Sequence, residues 1–222
     1  GSTLRAFAHA SKTDQQALYW RLVDQDAELL AQARLRHGHS QRLQTYELDL
    51  AEISALPLAD AHLITASALF DLVSDDFVDA LVVALHSQQH RAGLYAALNY
   101  DGTTIWTPVH PLDEAVLDAF NRDQQRDKGF GVALGPEAGT YVERVFIRSG
   151  FKVITAKSPW VLDGADSKLL DALISGIGDA VAQDSILDAT SLQDWIQFRK
   201  ANIDTGTCIV GHTDLLALPD AD

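Results

Sequence analysis

The feature that most limits the fold is an alternation of extended and helix-periodic runs that continues through most of the chain. Tyr19, Trp20, Leu22 and Val23 read as a short strand over 19–24, and Ala27, Leu29, Leu30 and Ala33 then repeat at helical intervals. "STLRAFAHA" before them is helix-like, and "LQTYELDL" and "AHLITASAL" after them predict two more strands. The acidic start and apolar stripe of "DDFVDALVVALHSQQH" predict a helix whose negative residues sit at the positive end of its dipole. "AGLYAALNYDGTTIWTP" predicts two extended runs about an Asp-Gly turn at Asp101 and Gly102. Such alternation implies crossover connections, and hence a mainly parallel sheet with helices on both faces.

The last third departs from simple alternation. "EAGTYVERVFIRSG" predicts a helix stopped at Gly150, and "FKVITAKSPWVL" a strand. Helical patterns in "KLLDALISGIGDAVAQ" and "SLQDWIQFRKANI" precede a last strand, "TCIVGHTDLLALP", which is expected to insert antiparallel beside its predecessor. No repeat or linker rich in Pro, Gly or Ser interrupts the 222 residues, so one domain over 1–222 is expected.

Charge narrows the partners. With 31 acidic against 17 basic residues the formal charge is −14, which repels phosphate backbones and anionic lipid, and no basic patch offsets it. A small-molecule substrate is expected, with no nucleic acid and no membrane, for a monomer or homodimer. Cys208 is the only cysteine, which excludes an internal disulfide and suits a reducing compartment. With no signal peptide and no apolar run of membrane-spanning length, a cytoplasmic protein is expected. The chain contains no methionine, so upstream residues are expected in the natural product.

In open α/β sheets ligands bind beyond the carboxyl ends of the strands, where a carboxylate can accept from both hydroxyls of a ribose. Asp24 ends the first predicted strand with Gln25 beside it, and Asp26 is placed to cap the following helix. On these elements the chain resembles the class I S-adenosylmethionine-dependent methyltransferases. "GSTLRAFAHA" is similar to the tail of that family's glycine-rich first motif, "LVDQDAELL" to the next element, and "YELDLAEISALPLADAHLITASALFDLVS" to the two after it. The resemblance spans essentially the whole chain. It implies an α/β fold, a Rossmann-like methyltransferase three-layer sandwich whose mainly parallel sheet has a reversed terminal strand. It also implies S-adenosylmethionine as cofactor, with Gly1 in the glycine turn, Asp24 and Gln25 at the ribose, Asp49 and Leu50 at the adenine, and Thr65 and Ser67 lining the pocket. The family's motif needs an apolar strand before its glycines, and that strand is expected upstream.

Methyl transfer from a sulfonium is an in-line displacement that depends on alignment, with an acid or base needed only when the acceptor loses a proton. No catalytic motif is therefore required. Asp71, Asn99 and Tyr100 follow predicted strands on the acceptor side. The segment Asn121 to Gly131 reads as a cover, with Phe130 shielding the acceptor and Asp127 or Lys128 orienting it; a solvated connection is an equal reading. His110 is a candidate base, although a structural histidine between Pro108 and Pro111 is the plainer reading. "TASALFD" lacks the Asn- or Asp-Pro-Pro-aromatic pattern of nucleobase methyltransferases.

His86 and His90 share a helical spacing, but Ser87 stands where a zinc protease helix places glutamate, and His37 and His39 flank Gly38 in a loop. No metal is expected. Cys208 reads as a buried thiol, and Trp106, Trp160 and Trp195 as core. Two alternatives to methyl transfer to a small acceptor remain. One is a scaffold of this type without chemistry, acting as a binding or partner protein; the other is a nicotinamide-dependent oxidoreductase, for which parallel terminal strands are the usual pattern.

Overall fold

The computed structural model describes residues 2–10, 18–39, 42–184 and 186–220. Helix α1 (Ser2–Ala10) leads to strand β1 (Tyr19–Asp24), helix α2 (Ala27–His37) and strand β2 (Arg42–Glu47). The two strands pair in parallel, from Tyr19 opposite Arg42 to Asp24 opposite Glu47. Helix α2 starts where it does because Asp26 accepts the otherwise unpaired N–H groups of Glu28 and Leu29, at 2.8 and 3.1 Å.

A second sheet holds most of the remaining chain. In order come β3 (Leu63–Ser67), α3 (Asp75–His86), β4 (Gly93–Thr107), α4 (Asp113–Gln124), α5 (Ala138–Arg148), β5 (Phe151–Lys157), β6 (Trp160–Leu162), α6 (Ser167–Val181), α7 (Ala189–Ala201) and β7 (Thr207–Pro219). Its strand order is β3-β4-β7-β5, with β6 also on β7. β3 and β4 are parallel, whereas β7 is antiparallel to β4, β5 and β6. β7 alone is therefore reversed. The architecture is the expected Rossmann-like sandwich, a mainly parallel arrangement with helices on both sides.

Two apolar cores divide the molecule. In the first, Phe77, Val78, Leu81 and Leu85 of α3 and Val142 and Phe146 of α5 pack on Leu94 and Ala96 of β4 and Leu215 and Ala217 of β7. The strand residues alternate, so they share one sheet face. α1 packs against β3 and α2 against β1 and β2, with Leu4 and Leu30 buried outside that cluster. The second core surrounds the far half of β4, where Trp106, Cys208 and Val210 meet Val116, Leu170, Ile174, Ile177 and Trp195 from α4, α6 and α7. Trp195 is wholly buried, worth about 2–3 kcal/mol for a side chain of that size.

Three sequence expectations are corrected. Asp101 and Gly102 do not make a hairpin turn: Tyr100 pairs with His212 and Thr104 with Val210, so three residues of β4 bulge opposite Gly211. β7 is long enough to pair with both halves of β4, and Gly102 takes the bulge at φ 82°. "FKVITAKSPWVL" is two strands, interrupted where Ser158 donates its N–H to His212 O at 2.9 Å and its hydroxyl to Asp214. Asn121 lies within α4, so the connection proper begins after Gln124. Gly150 ends α5 as expected, at φ 74°.

Candidate functional site at the carboxyl ends of the strands

Asp24 ends β1 and Asp49 lies two residues past β2, at the carboxyl ends of two paired parallel strands. Leu48 N–H donates to Asp24 O at 3.0 Å, tying the two strand ends together. Asp24 is half-buried, and its Oδ1 accepts the Asp26 N–H at 3.0 Å. Asp49 is exposed, and its Oδ1 accepts the Ala51 N–H at 2.9 Å. Among the described residues none donates to Oδ2 of either carboxylate, so each keeps an acceptor for a ligand. Gln25 is exposed next to Asp24, and Leu50 is half-buried against the first core. Gly1 lies outside the described residues.

The carboxyl ends of β3 and β4 form the other half of the site. Thr65 and Ser67 are half-buried on one side of β3, and Ser67 pairs with Ala97 in the last rung of the ladder. Just beyond that rung are two non-glycine residues with left-handed backbones, Ala68 at φ 52° and Leu98 at φ 56°. Each such residue costs about 1–3 kcal/mol, and strain of this kind gathers at sites where the surroundings must hold a set geometry. Ala68 N–H donates to Ala97 O at 2.9 Å, and Leu98 N–H to Asp214 Oδ1 at 2.9 Å.

Asn99 and Tyr100 follow directly. Asn99 is buried, with Nδ2 donating to Ala96 O at 3.2 Å and Thr213 O at 2.8 Å. The Tyr100 hydroxyl donates to Asn121 Oδ1 at 2.9 Å, and burial pushes its pKa up to about 12. Asn121 returns a bond from Nδ2 to Gly102 O at 3.0 Å, so the end of α4 is fastened to the β4 bulge. Asp71, beyond β3, is buried with no compensating charge among the described residues, and burial raises its pKa. Its carbonyl accepts the Gly135 N–H at 2.9 Å, and Leu134 N–H reaches Val73 O at 2.8 Å.

The connection after α4 is folded onto this edge. Asp127 Oδ1 accepts from Gly129 N–H at 2.7 Å and Gly131 N–H at 3.2 Å, and Asp127 bridges to Val132. Lys128 Nζ lies 2.7 Å from Asp123 Oδ2. Phe130 is half-buried edge-on to Phe77 of α3, with ring centroids 5.5 Å apart. A Cβ on Gly131 would lie 3.4 Å from Ser74 Cβ, so the tight loop rests on the start of α3. Asp127 and Lys128 are thus engaged within their own segment, and Phe130 anchors it.

His110 is elsewhere. It lies three residues past the end of β4 and eleven beyond Asn99, with its ring 4.9 Å from Phe198 of α7 and its Nδ1 accepting the Leu112 N–H at 3.2 Å. Close by, Arg199 donates to Pro108 O and Asp113, with its guanidinium 5.1 Å from the Trp106 ring centroid and 5.6 Å from that of Trp195. Cys208 is buried there, and loss of hydration pushes its thiol up to about 12. His86 is held by carbonyls, Nδ1 2.9 Å from Val82 O and Nε2 3.0 Å from Ser149 O.

Sequence reasoning missed Asp214, His212, Asp101 and Lys157, which lie around the bends in β4. Asp214 accepts from Tyr95 Oη at 2.8 Å, Ser158 Oγ at 2.5 Å and Leu98 N–H. His212 sits between Trp160, at 5.0 Å, and Tyr100, at 6.4 Å between centroids, and burial lowers its pKa. The period-2 spacing of His212 and Asp214, polar residues inside an otherwise apolar run, was the available signal.

No family profile and no curated protein matches the sequence. Solved structures do resemble the fold. A cyclopropane synthase, MmaA2, from Mycobacterium tuberculosis is 9% identical with a TM-score of 0.48, covering 98% of this chain and 74% of its own. Mycolic acid cyclopropane synthase CmaA1, complexed with SAH and CTAB, is 12% identical with a TM-score of 0.48 over 97% of this chain and 74% of its own. The [4+2]-cyclase SpnF is 13% identical with a TM-score of 0.42 over 100% and 73%. At such identities the likeness is one of chain arrangement and transfers no residue's role.

Proposed function

We propose that the protein binds S-adenosylmethionine along the carboxyl ends of its strands and transfers the methyl group to a small acceptor. The observation that carries this reading is the placement of Asp24 at the end of β1 and Asp49 just past β2, each with one carboxylate oxygen to which no described residue donates. Asp24 would hold the ribose hydroxyls, Asp49 the adenine amino group, and Leu50 the face of the ring. The cofactor supplies an activated methyl group; the chain's own residues bind, orient and exclude water. Thr65 and Ser67 border the cofactor side. Asp71, Asn99 and the loop carrying Phe130 enclose the acceptor side.

The reading includes a further strand. β1 pairs only with β2, and β3 pairs with β4 alone, so each leaves one edge unpaired within the described residues. Open edges expose a row of backbone donors and acceptors. Phe7 of α1 lies edge-on to Trp20 of β1, and α1 also packs on β3, so one helix spans both edges. We propose that a parallel strand outside the present sequence fills the space and brings the glycine turn to the cofactor.

Calorimetric titration tests the proposal. S-adenosylhomocysteine is expected to bind and to raise the melting temperature by mass action, and nicotinamide dinucleotides to do neither. The opposite preference removes the reading. Binding without turnover on any small acceptor would leave a cofactor-binding scaffold instead.

A further inference from the structure

We propose that Asp71 and Asn99 form a subsite that binds a primary amine of the acceptor molecule as its ammonium. For methyl transfer to that nitrogen, the ammonium first passes a proton to the Asp71 carboxylate, which frees the lone pair that attacks the methyl carbon. As a statement about the acceptor this rests on the function proposed above; as a statement about binding it can be tested separately.

Asp71 is 8% exposed and Asn99 2%. Oδ1 of each is buried and receives no hydrogen bond from any described residue. Leaving a buried polar atom unpaired costs about 1–3 kcal/mol, so two of them at one strand edge call for an explanation. For Asn99 the free atom is fixed as an acceptor. Its amide hydrogens go to Ala96 O and Thr213 O, and a flipped amide would set its oxygen against both carbonyls.

The two side chains belong to one edge. Ser67 and Ala97 make the last rung between β3 and β4, Asn99 follows two residues later on one strand, and Asp71 four residues later on the other. The left-handed residues Ala68 and Leu98 turn the chain between rung and side chain on each strand. Gly135 then ties the Asp71 carbonyl to the segment that carries Pro136, whose ring would meet a Cβ on Gly102 of β4 at 3.0 Å. Ligands of open α/β sheets bind at this edge.

Two unpaired acceptors select the ligand's chemistry. A hydroxyl has one hydrogen to give and a carboxylate none, whereas an ammonium has three, enough for both oxygens. Burial raises the Asp71 carboxyl against a smaller lowering by its own backbone, and no cationic side chain among the described residues contributes. A bound cation would supply the missing counter-charge, and a chain of formal charge −14 attracts cations into such an edge.

The probes are n-butylamine, n-butanol and butyrate, each titrated into the isotopically labelled chain with and without S-adenosylhomocysteine. Amide shifts at 67–72 and 97–101 are expected to saturate with the amine and to stay small with the alcohol and the acid. The Asp71 carboxyl carbon, followed against pH, is expected to titrate lower when the amine is present. Asp71→Asn keeps the shape and one acceptor but removes the charge, and should weaken the amine about tenfold or more, the value of a charge-assisted bond. Equal response to all three probes, an Asp71 titration that ignores the amine, or unchanged affinity in the variant would each overturn the proposal. If Asp71→Asn does not fold, the carboxyl titration of the unaltered chain decides. S-adenosylhomocysteine binding with no amine response defeats this inference alone; an amine response without nucleoside binding defeats the methyl-transfer reading alone.

Discussion

The carboxylate of Asp214 accepts the backbone N–H of Leu98 at 2.9 Å and so holds a leucine at φ 56°, where side chains are seldom found. It does this while accepting from Tyr95 and Ser158. One side chain of β7 therefore fixes the bulge from which Asn99 and Tyr100 project. Asp214→Ala should cost about 2–4 kcal/mol, less than the sum of three charge-assisted bonds because the site is partly hydrated. Urea denaturation should show a lowered midpoint at unchanged slope, with faster hydrogen exchange at Leu98.

Gly211 is required by its neighbour on β4. A Cβ there would overlap Asp101 Oδ1, and that carboxylate is held by Thr103 N–H at 3.1 Å and Lys157 Nζ at 2.7 Å. Gly211→Ala is expected to destabilise by about 1–3 kcal/mol, the range for overpacking a closed site. Combining it with Asp101→Ser should recover most of the loss. A double-mutant cycle with no coupling between the two positions would contradict the account.

His212 makes stability depend on pH. Burial holds its pKa below the unfolded value of about 6.5, so the unfolded chain takes up the proton first. Its neutral form is fully accommodated above that value, and stability falls as pH drops from about 6.5 toward the depressed folded pKa. The charged and titratable neighbours are Asp101, Asp214, Tyr100 and Lys157; the two aspartates oppose the shift without cancelling it. Compared with His212→Gln, the unaltered protein should lose more stability between pH 7 and pH 5, measured by denaturation at each pH. Parallel curves would exclude His212 as the source.

Asp24 and Asp26 should separate by readout. Asp24→Ala is expected to weaken S-adenosylhomocysteine by about 1–3 kcal/mol through lost hydrogen bonds to the ribose. Asp26→Ala removes the cap of α2 and should cost about 1 kcal/mol of stability with little change in affinity. Calorimetry and thermal unfolding on both variants check the assignment, and loss of affinity only in Asp26→Ala would reverse it.

Phe130 anchors its loop on Phe77, so Phe130→Ala should loosen 127–132 without touching the strand ends that carry Asp24 and Asp49. Being half-buried, it should contribute about 1–3 kcal/mol, below the range for a fully buried phenylalanine. Hydrogen exchange at Gly129 and Gly131 should accelerate while 121–124 stays protected as the last turn of α4. Cofactor is expected to slow exchange in the loop, and unchanged exchange would leave it a fixed connection.

Local chemistry was readable where it acts over a few residues. The cap at Asp26, the stop at Gly150, the acidic first turn of α3 and the alternation that forces crossovers all depend on neighbours in sequence, and all are present in the structure. The reversal of β7 was also legible, since a long helical excursion precedes it. By contrast, "DG" between extended runs has the same local preference in a hairpin and in a bulge. Only β7, which pairs along both halves of β4, decides between them. Asn121 was read as loop because it sits near Gly129 and Gly131, although its own turn is helical.

The sequence by itself determined the order of elements, the fold class and the positions of Asp24 and Asp49 at strand ends, because hydrophobic periodicity and backbone preference are local. Tertiary structure alone decided that Asp71 and Asn99 are buried with oxygens unpaired among the described residues, that Asp214 reaches Leu98 across 116 residues, and that His110 packs at a tilt against Phe198 away from the strand ends. Burial and pairing are properties of what surrounds a side chain. In this chain those surroundings come from β7 and α7, which lie more than eighty residues away in sequence from the end of β4.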